Sequence, residues 1–241
     1  MLILALDSSA TTATVSLLED GVPVASSHIY DKLTHSEKLL PMIDSLLNFI
    51  QKSIDDVDLI CVSSGPGSFT GIRIGVSCVK GLSITRNIPI APVSTLEALA
   101  YNMRLFEEYS GEETVICPCM DARRNELYNA LFSYDGKEFK RITPDRAISC
   151  EALEEELATI NKRVLLLGDG GRKMHAYLKG INSEIDYSAV PVSLCMQNAE
   201  SVGYLGYLKH QSGETTDAAG LVCTYLRPSQ AERNIKEENK Q

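Results

Sequence analysis

Four glycines and a proline crowd into Ser63-Ser64-Gly65-Pro66-Gly67-Ser68-Phe69-Thr70-Gly71-Ile72-Arg73-Ile74-Gly75, the stretch of this chain best placed to do chemistry. It follows an apolar run, Asp58 to Val62, that reads as a buried strand, and it precedes a helical pattern. Such a strand-to-helix turn can cradle a phosphate on helix N-terminal amides, with glycine allowing close backbone approach and Ser68 or Thr70 capping the helix. Two motif tests fail, however. A Walker-type loop needs Lys-Ser or Lys-Thr after its last glycine, whereas Gly71 is followed by Ile72-Arg73 and the nearest lysine is Lys80. The dinucleotide fingerprint needs its second and third glycines three apart, whereas Gly67 and Gly71 are four apart. Gly71 and Gly75 then fall inside the helix, where each costs up to ~1 kcal/mol against Ala, so a packing reason is expected. That reason is either a helix seated on them within the chain or a contact with another subunit.

Other reactive types are sparse. Cys117-Pro118-Cys119 has no C-x-x-C and no nearby histidine to complete a zinc site. His35 has Leu39 four positions on, so the H-x-x-x-H spacing that puts two metal ligands on one helix face is broken. His35 reads instead as a polar helix start beside Ser36, a candidate N-cap.

The elements that would position these residues alternate in a repeated order. Leu2 to Asp7, Ala13 to Leu18 and Val22 to Ile29 read as strands, followed by a helix from near Ser36 to about Gln51. The strand at 58–64, the glycine turn, a helix to about Thr85 and a short strand at 88–93 complete the first half. A helix capped by Ser94 or Thr95 follows. The second half opens on a strand from Thr114 to Asp121 and a hairpin of 126–133 with 137–142 around Asp135-Gly136. A helix at 149–160, a strand at 164–168 and helices at 171–179 and 197–209 come next. A β-β-β-α-β-α order occurring twice predicts two similar α/β lobes, residues 1–105 and 106–228, with parallel pairing expected after the first helix of the chain. The boundary falls in the acidic stretch 106–113, and the polar tail 229–241 is expected to be mobile.

Composition narrows the function classes. At 241 residues, 44% hydrophobic and 23% charged, the chain suits one large domain or two smaller ones. A net charge of −9 argues against this chain alone being the main binder of nucleic acid or an anionic membrane. Seven scattered cysteines read as reduced thiols of a cytoplasmic protein. Asp7 arrives too early for a signal peptide, and no apolar run reaches membrane-spanning length.

Five segments occur in order over nearly the whole chain: Ile3 to Ser9, His35-Ser36-Glu37-Lys38-Leu39-Leu40-Pro41, the glycine turn, Asp121-Ala122-Arg123, and Tyr225-Leu226-Arg227-Pro228-Ser229. Together they resemble the TsaB family, non-catalytic paralogues of the TsaD threonylcarbamoyl transferase. The resemblance implies the two-lobed actin-like ATPase fold. It also implies a role in threonylcarbamoylation of the adenosine next to the anticodon of certain tRNAs. The expected partners are TsaD and the ATPase TsaE, with a homodimer when the chain is alone and tRNA reached only through the complex. ATP and a metal ion are expected in TsaD, and no cofactor is expected to be bound tightly by this chain. In such folds the acids ending the first strand of each lobe face nucleotide phosphates, which makes Asp7, Ser8 and Asp121 with Gly168, Gly170 and Gly171 a candidate remnant nucleotide cleft. The bland reading is that these residues merely end strands and turn the chain. The alternative function is a small-molecule kinase or ATPase of the actin-like class, although no kinase-type nucleophile or base is identifiable.

The helix from Ser36 carries Leu39, Leu40, Met42, Ile43, Leu46, Leu47, Phe49 and Ile50, an apolar arc of about 180° where about 100° suffices to cover one core. The surplus is either covered deeply by its own lobe or forms a contact surface shared with the neighbouring glycine-bearing helix; the resemblance implies pairing through these helices and favours the second. The candidate interface is Ser36, Leu39, Leu40, Ile43, Leu46, Leu47, Gly71, Ile72, Gly75 and Val79. On this reading Gly75→Arg disrupts pairing and leaves the chain folded.

Overall fold

The computed structural model describes residues 1–30, 35–105, 114–134, 139–192 and 194–227. The stretch 106–113, the tip of the Asp135-Gly136 hairpin and the tail 229–241 lie outside the described residues.

The first half builds β1 (Leu2–Asp7), β2 (Thr12–Glu19), β3 (Val22–Tyr30), α1 (His35–Phe49), β4 (Leu59–Gly65), α2 (Phe69–Ile84), β5 (Ile90–Ser94) and α3 (Thr95–Tyr101). Its five-stranded sheet has the order β3-β2-β1-β4-β5, antiparallel across β1–β2–β3 and parallel across β1–β4–β5. β1 is apolar at successive positions because both its faces are covered. Leu2, Leu4 and Leu6 point to the core under α1 and α2, while Ile3 and Ala5 point to a second layer against α6 (Ala199–Gln211). Ser94 caps α3, its Oγ accepting from the Glu97 amide at 3.2 Å.

The second half adds β6 (Thr114–Asp121), β7 (Glu126–Asn129), β8 (Phe132–Tyr134), β9 (Phe139–Arg141), β10 (Arg146–Ser149), α4 (Cys150–Ile160), β11 (Arg163–Leu167), α5 (Gly168–Gly180), β12 (Tyr187–Ala189) and then α6. β6, β11 and β12 run parallel, as β1, β4 and β5 do.

The strand expected over 126–133 is two strands. β7 pairs with β10 and the end of β6, whereas β8 pairs with the start of β6 and with β9. Pro118 sits in the middle of β6 and has no amide hydrogen to give a ladder. Asn129 bridges the break, its side-chain amide donating to the carbonyls of Pro118 and Ala130 at 3.1 Å each.

Packing crosses the sequence halves. α3 belongs to residues 1–105, yet Leu96, Leu99 and Ala100 join a core with Ile116 and Met120 of β6. α6 belongs to residues 106–228, yet Val202 and Leu205 cover the first sheet. After α6 the chain returns along the first lobe as an extended strap. Thr216 exchanges two backbone hydrogen bonds with Ile90, and Leu221 is buried in the first core. No helix among the described residues is long and apolar enough to cross a membrane.

Candidate functional site

Ser68 starts α2: its Oγ accepts from the Gly71 amide at 3.3 Å, and its own N–H donates to the Ser9 carbonyl at 2.6 Å. The turn is therefore closed on the segment that leaves β1. A Cβ on Gly71 would stand 2.1 Å from the Ser8 carbonyl oxygen, and one on Gly75 would stand 2.6 Å from Ser8 Oγ and 3.3 Å from Leu6. Ser8 Oγ donates to the Gly71 carbonyl at 2.8 Å. What fills the glycine groove is the end of β1, neither another helix nor another subunit. The expectation for Gly75→Arg is corrected accordingly: that side chain has no room inside the folded chain.

Eight of the ten residues assigned to a partner surface are buried in the chain itself: Leu39, Ile43, Leu46 and Leu47 on α1, and Gly71, Ile72, Gly75 and Val79 on α2. The surplus arc of α1 comes down to Leu40, 53% exposed, and Phe49, 82% exposed. Ser36 is exposed as well. The two helices turn a different face outward, and between them lies an open groove of about 620 Å³. Ser36, Leu39 and Leu40 line it from α1, with Phe69, Ile74 and Cys78 from α2. Among the described residues its one charged lining residue is Arg73. The missed signal was a second stripe on α2: Thr70, Ile74, Ser77 and Cys78 recur at helical spacing one face away from Ile72, Val76 and Val79.

The candidate nucleotide residues separate. Asp7 is sealed, 1% exposed, with Oδ1 accepting from Ser9 N and Ser9 Oγ at 2.8 and 2.6 Å and Oδ2 from Ser63 Oγ at 2.5 Å. Burial pushes its pKa up, and the hydrogen bonds from Ser63 and Ser9 and the His35 ring work against that rise. Asp121 is open to the cleft between the lobes. Partial burial raises its pKa, but the Lys173 ammonium at 2.7 Å and the Arg123 amide at 2.9 Å outweigh that and hold it low. Gly168, Gly170 and Gly171 are buried against the backbone of β6 and β11, so that a Cβ on Gly168 would stand 2.1 Å from the Cys119 carbonyl oxygen. They seat α5 on the sheet. The cleft itself holds about 530 Å³ and is lined by Ser9, Ser68, Asp121, Arg123, Asp169 and Tyr225 among others.

His35 Nε2 donates to the Ala10 carbonyl at 2.7 Å, and Leu39 belongs to the core. Among the described residues no three His, Cys, Asp or Glu side chains come together as metal ligands.

Asp7 also makes the chain's stability depend on pH. Because its folded pKa lies above the unfolded value, the folded chain holds that proton more tightly. Asp7 therefore subtracts stability as pH rises from the unfolded value through the folded one, and the penalty vanishes on acidification below both. Asp7→Asn keeps the shape and removes the charge. Its urea midpoint at pH 7 should be no lower than the parent's, with a flatter pH dependence between 4 and 7. Asp7→Ala, which strands the Ser9 and Ser63 donors, should lose about 1–3 kcal/mol.

A family model described as "TsaD: tRNA N6-adenosine threonylcarbamoyltransferase" matches residues 31–202. The tRNA threonylcarbamoyladenosine biosynthesis protein TsaB of Bacillus subtilis (strain 168) is 32% identical over 240 residues, covering 100% of both chains. The chain belongs to the TsaB family. Among solved structures, YeaZ from Pseudomonas aeruginosa superposes on this TsaB-family chain with a TM-score of 0.77 at 25% identity, covering 93% of this chain and 99% of that one. An inorganic polyphosphate/ATP-glucomannokinase from an Arthrobacter strain matches with a TM-score of 0.52 at 8% identity, over 88% of this chain and 99% of its own. That second likeness is one of fold, the two-lobed actin-like architecture. Against that architecture, the TsaB-family chain has its Asp7 carboxylate sealed by serines and its outward apolar surface between α1 and α2.

Proposed function

We propose that this chain is a non-catalytic scaffold and activator subunit in tRNA threonylcarbamoyladenosine biosynthesis, pairing with the TsaD transferase through the α1/α2 groove. Membership of the TsaB family supports the pathway, and the match to the TsaD model supports a partner of like architecture. The observation that carries the reading is the groove itself, where exposed Leu40 and half-buried Phe69 and Ile74 leave apolar surface uncovered on α1 and α2. A subunit of the same fold can lay an equivalent helix pair across it, burying both. Alone, the chain covers the groove with a second copy, and the homodimer competes with the heterodimer. TsaE joins the pair, tRNA is engaged by the assembled complex in the cytoplasm, and ATP and the metal ion belong to TsaD.

Light scattering on the chain mixed with its cognate TsaD tests the pairing. A one-to-one complex that forms at the expense of homodimer is expected. Two separate peaks at micromolar concentrations of both proteins would overturn the reading.

A further inference from the structure

We infer that the occupant of the α1/α2 groove brings a carboxylate to Arg73, and that Tyr225 of the C-terminal strap holds Arg73 in place to receive it. The inference rests on the pairing reading above and adds the chemistry of the partner's contacting face: apolar side chains with one acidic group set among them.

Among the described residues, Arg73 is the one charged residue lining the groove, and no described carboxylate lines it. Its guanidinium is held on two sides. The Cζ atom lies 3.8 Å from the centre of the Phe69 ring and 5.7 Å from that of Tyr225, and Nε donates to the Tyr225 hydroxyl at 2.9 Å. The Phe69 and Tyr225 rings themselves lie 4.7 Å apart. The two Nη groups make no hydrogen bond or ion pair with any described residue, and Arg73 is exposed. A guanidinium fixed by its Nε edge and its face leaves its terminal fork free for a planar acceptor.

Any apolar partner that covers Leu40, Phe69 and Ile74 also takes water from Arg73. Burying that charge unpaired is costly, so a stable occupant must supply the opposite charge. The fixed geometry helps, because little side-chain freedom remains to be lost on pairing.

Tyr225 can act as a fixed post because the strap is anchored on both sides of it. The Thr224 amide donates to the Ser64 carbonyl at 2.7 Å. The Arg227 guanidinium donates to the Ala122 carbonyl at 2.9 Å and pairs with Glu126 at 2.5 Å. The strap thereby ties the groove edge on the first lobe to the β6–β7 turn of the second. Tyr225 is a positioning residue, and Arg73 a specificity-determining one.

The test measures the dissociation constant of the full chain with cognate TsaD at two salt concentrations. Arg73→Gln should weaken pairing by about 30-fold or more and remove most of the salt dependence, with the melting temperature unchanged. Arg73→Lys should recover only part of the loss. Tyr225→Phe keeps the ring and removes the acceptor, and should weaken pairing by about 2- to 10-fold. Arg73→Glu should be rescued by one acid-to-lysine change on the helix pair of TsaD. Leu40→Asp separates the two ideas. If Leu40→Asp abolishes pairing while Arg73→Gln leaves affinity and salt dependence as in the parent, the carboxylate inference fails and the groove stands. If neither change matters, the groove reading fails and takes the inference with it.

Discussion

Gly71→Ala, a single added methyl, is expected to cost this chain about 3 kcal/mol or more, lowering its melting temperature by roughly 6–12 °C. The methyl would lie 2.1 Å from a backbone carbonyl oxygen, that of Ser8, which is fixed by the end of β1 and cannot swing away as a side chain could. Relief requires α2 to move off the sheet. That would break the Ser8 Oγ bond to the Gly71 carbonyl and open the core around Ile72, Val76 and Val79. Gly81→Ala, on the same helix, is the control. Nothing lies within 4 Å of its added Cβ, so the change should raise stability by about 0.5–1 kcal/mol through helix propensity alone. Calorimetric melting of the two variants beside the parent checks both signs. Equal melting temperatures for all three would mean that the α2–β1 contact is looser than described.

Leu40→Asp should have the largest effect on association and almost none on folding. Its side chain is 53% exposed on the rim of the groove, so the folded monomer loses little, within about 0.5 kcal/mol. In the proposed pair the same position would be covered by apolar surface, and an aspartate there would be a desolvated charge with no partner. Truncation of an interface anchor that becomes fully covered already costs about 2 kcal/mol or more, and the buried charge adds to that. Affinity for TsaD should fall by at least ~30-fold, and the homodimer should dissociate in parallel. Sedimentation velocity on the variant, alone and with TsaD, reads both.

The parts of the fold held by local pattern were legible in the sequence. β1 reads as buried on both faces because Leu2 to Leu6 are apolar without interruption, and the pairs Ser68 or Thr70 and Ser94 or Thr95 announced the two helices that Ser68 and Ser94 cap. The duplicated order of elements anticipated the two sheets with matching parallel strands. Which helix faces look outward was not legible, because α1 and α2 each carry apolar residues on two neighbouring faces. Periodicity alone does not say that Ile43 and Leu47 turn inward while Leu40 turns out. Gly71 and Gly75 announced a close approach, but the approaching group, Ser8, is 63 positions away, and no local rule names it. The same holds for Tyr225 and Arg73, brought together across 152 positions. The break between β7 and β8 had a visible cause in Pro118, and its repair by Asn129 needed the register of the sheet.

The most direct measurement is the initial rate of adenosine threonylcarbamoylation of tRNA by TsaD, supplied with its activated threonylcarbamoyl donor and titrated with this chain or with Leu40→Asp. The rate should depend on the chain and saturate at one chain per TsaD, while the folded Leu40→Asp chain should restore little of it at the same concentrations. Equal rates with and without the chain, or full activation by Leu40→Asp, would contradict the account.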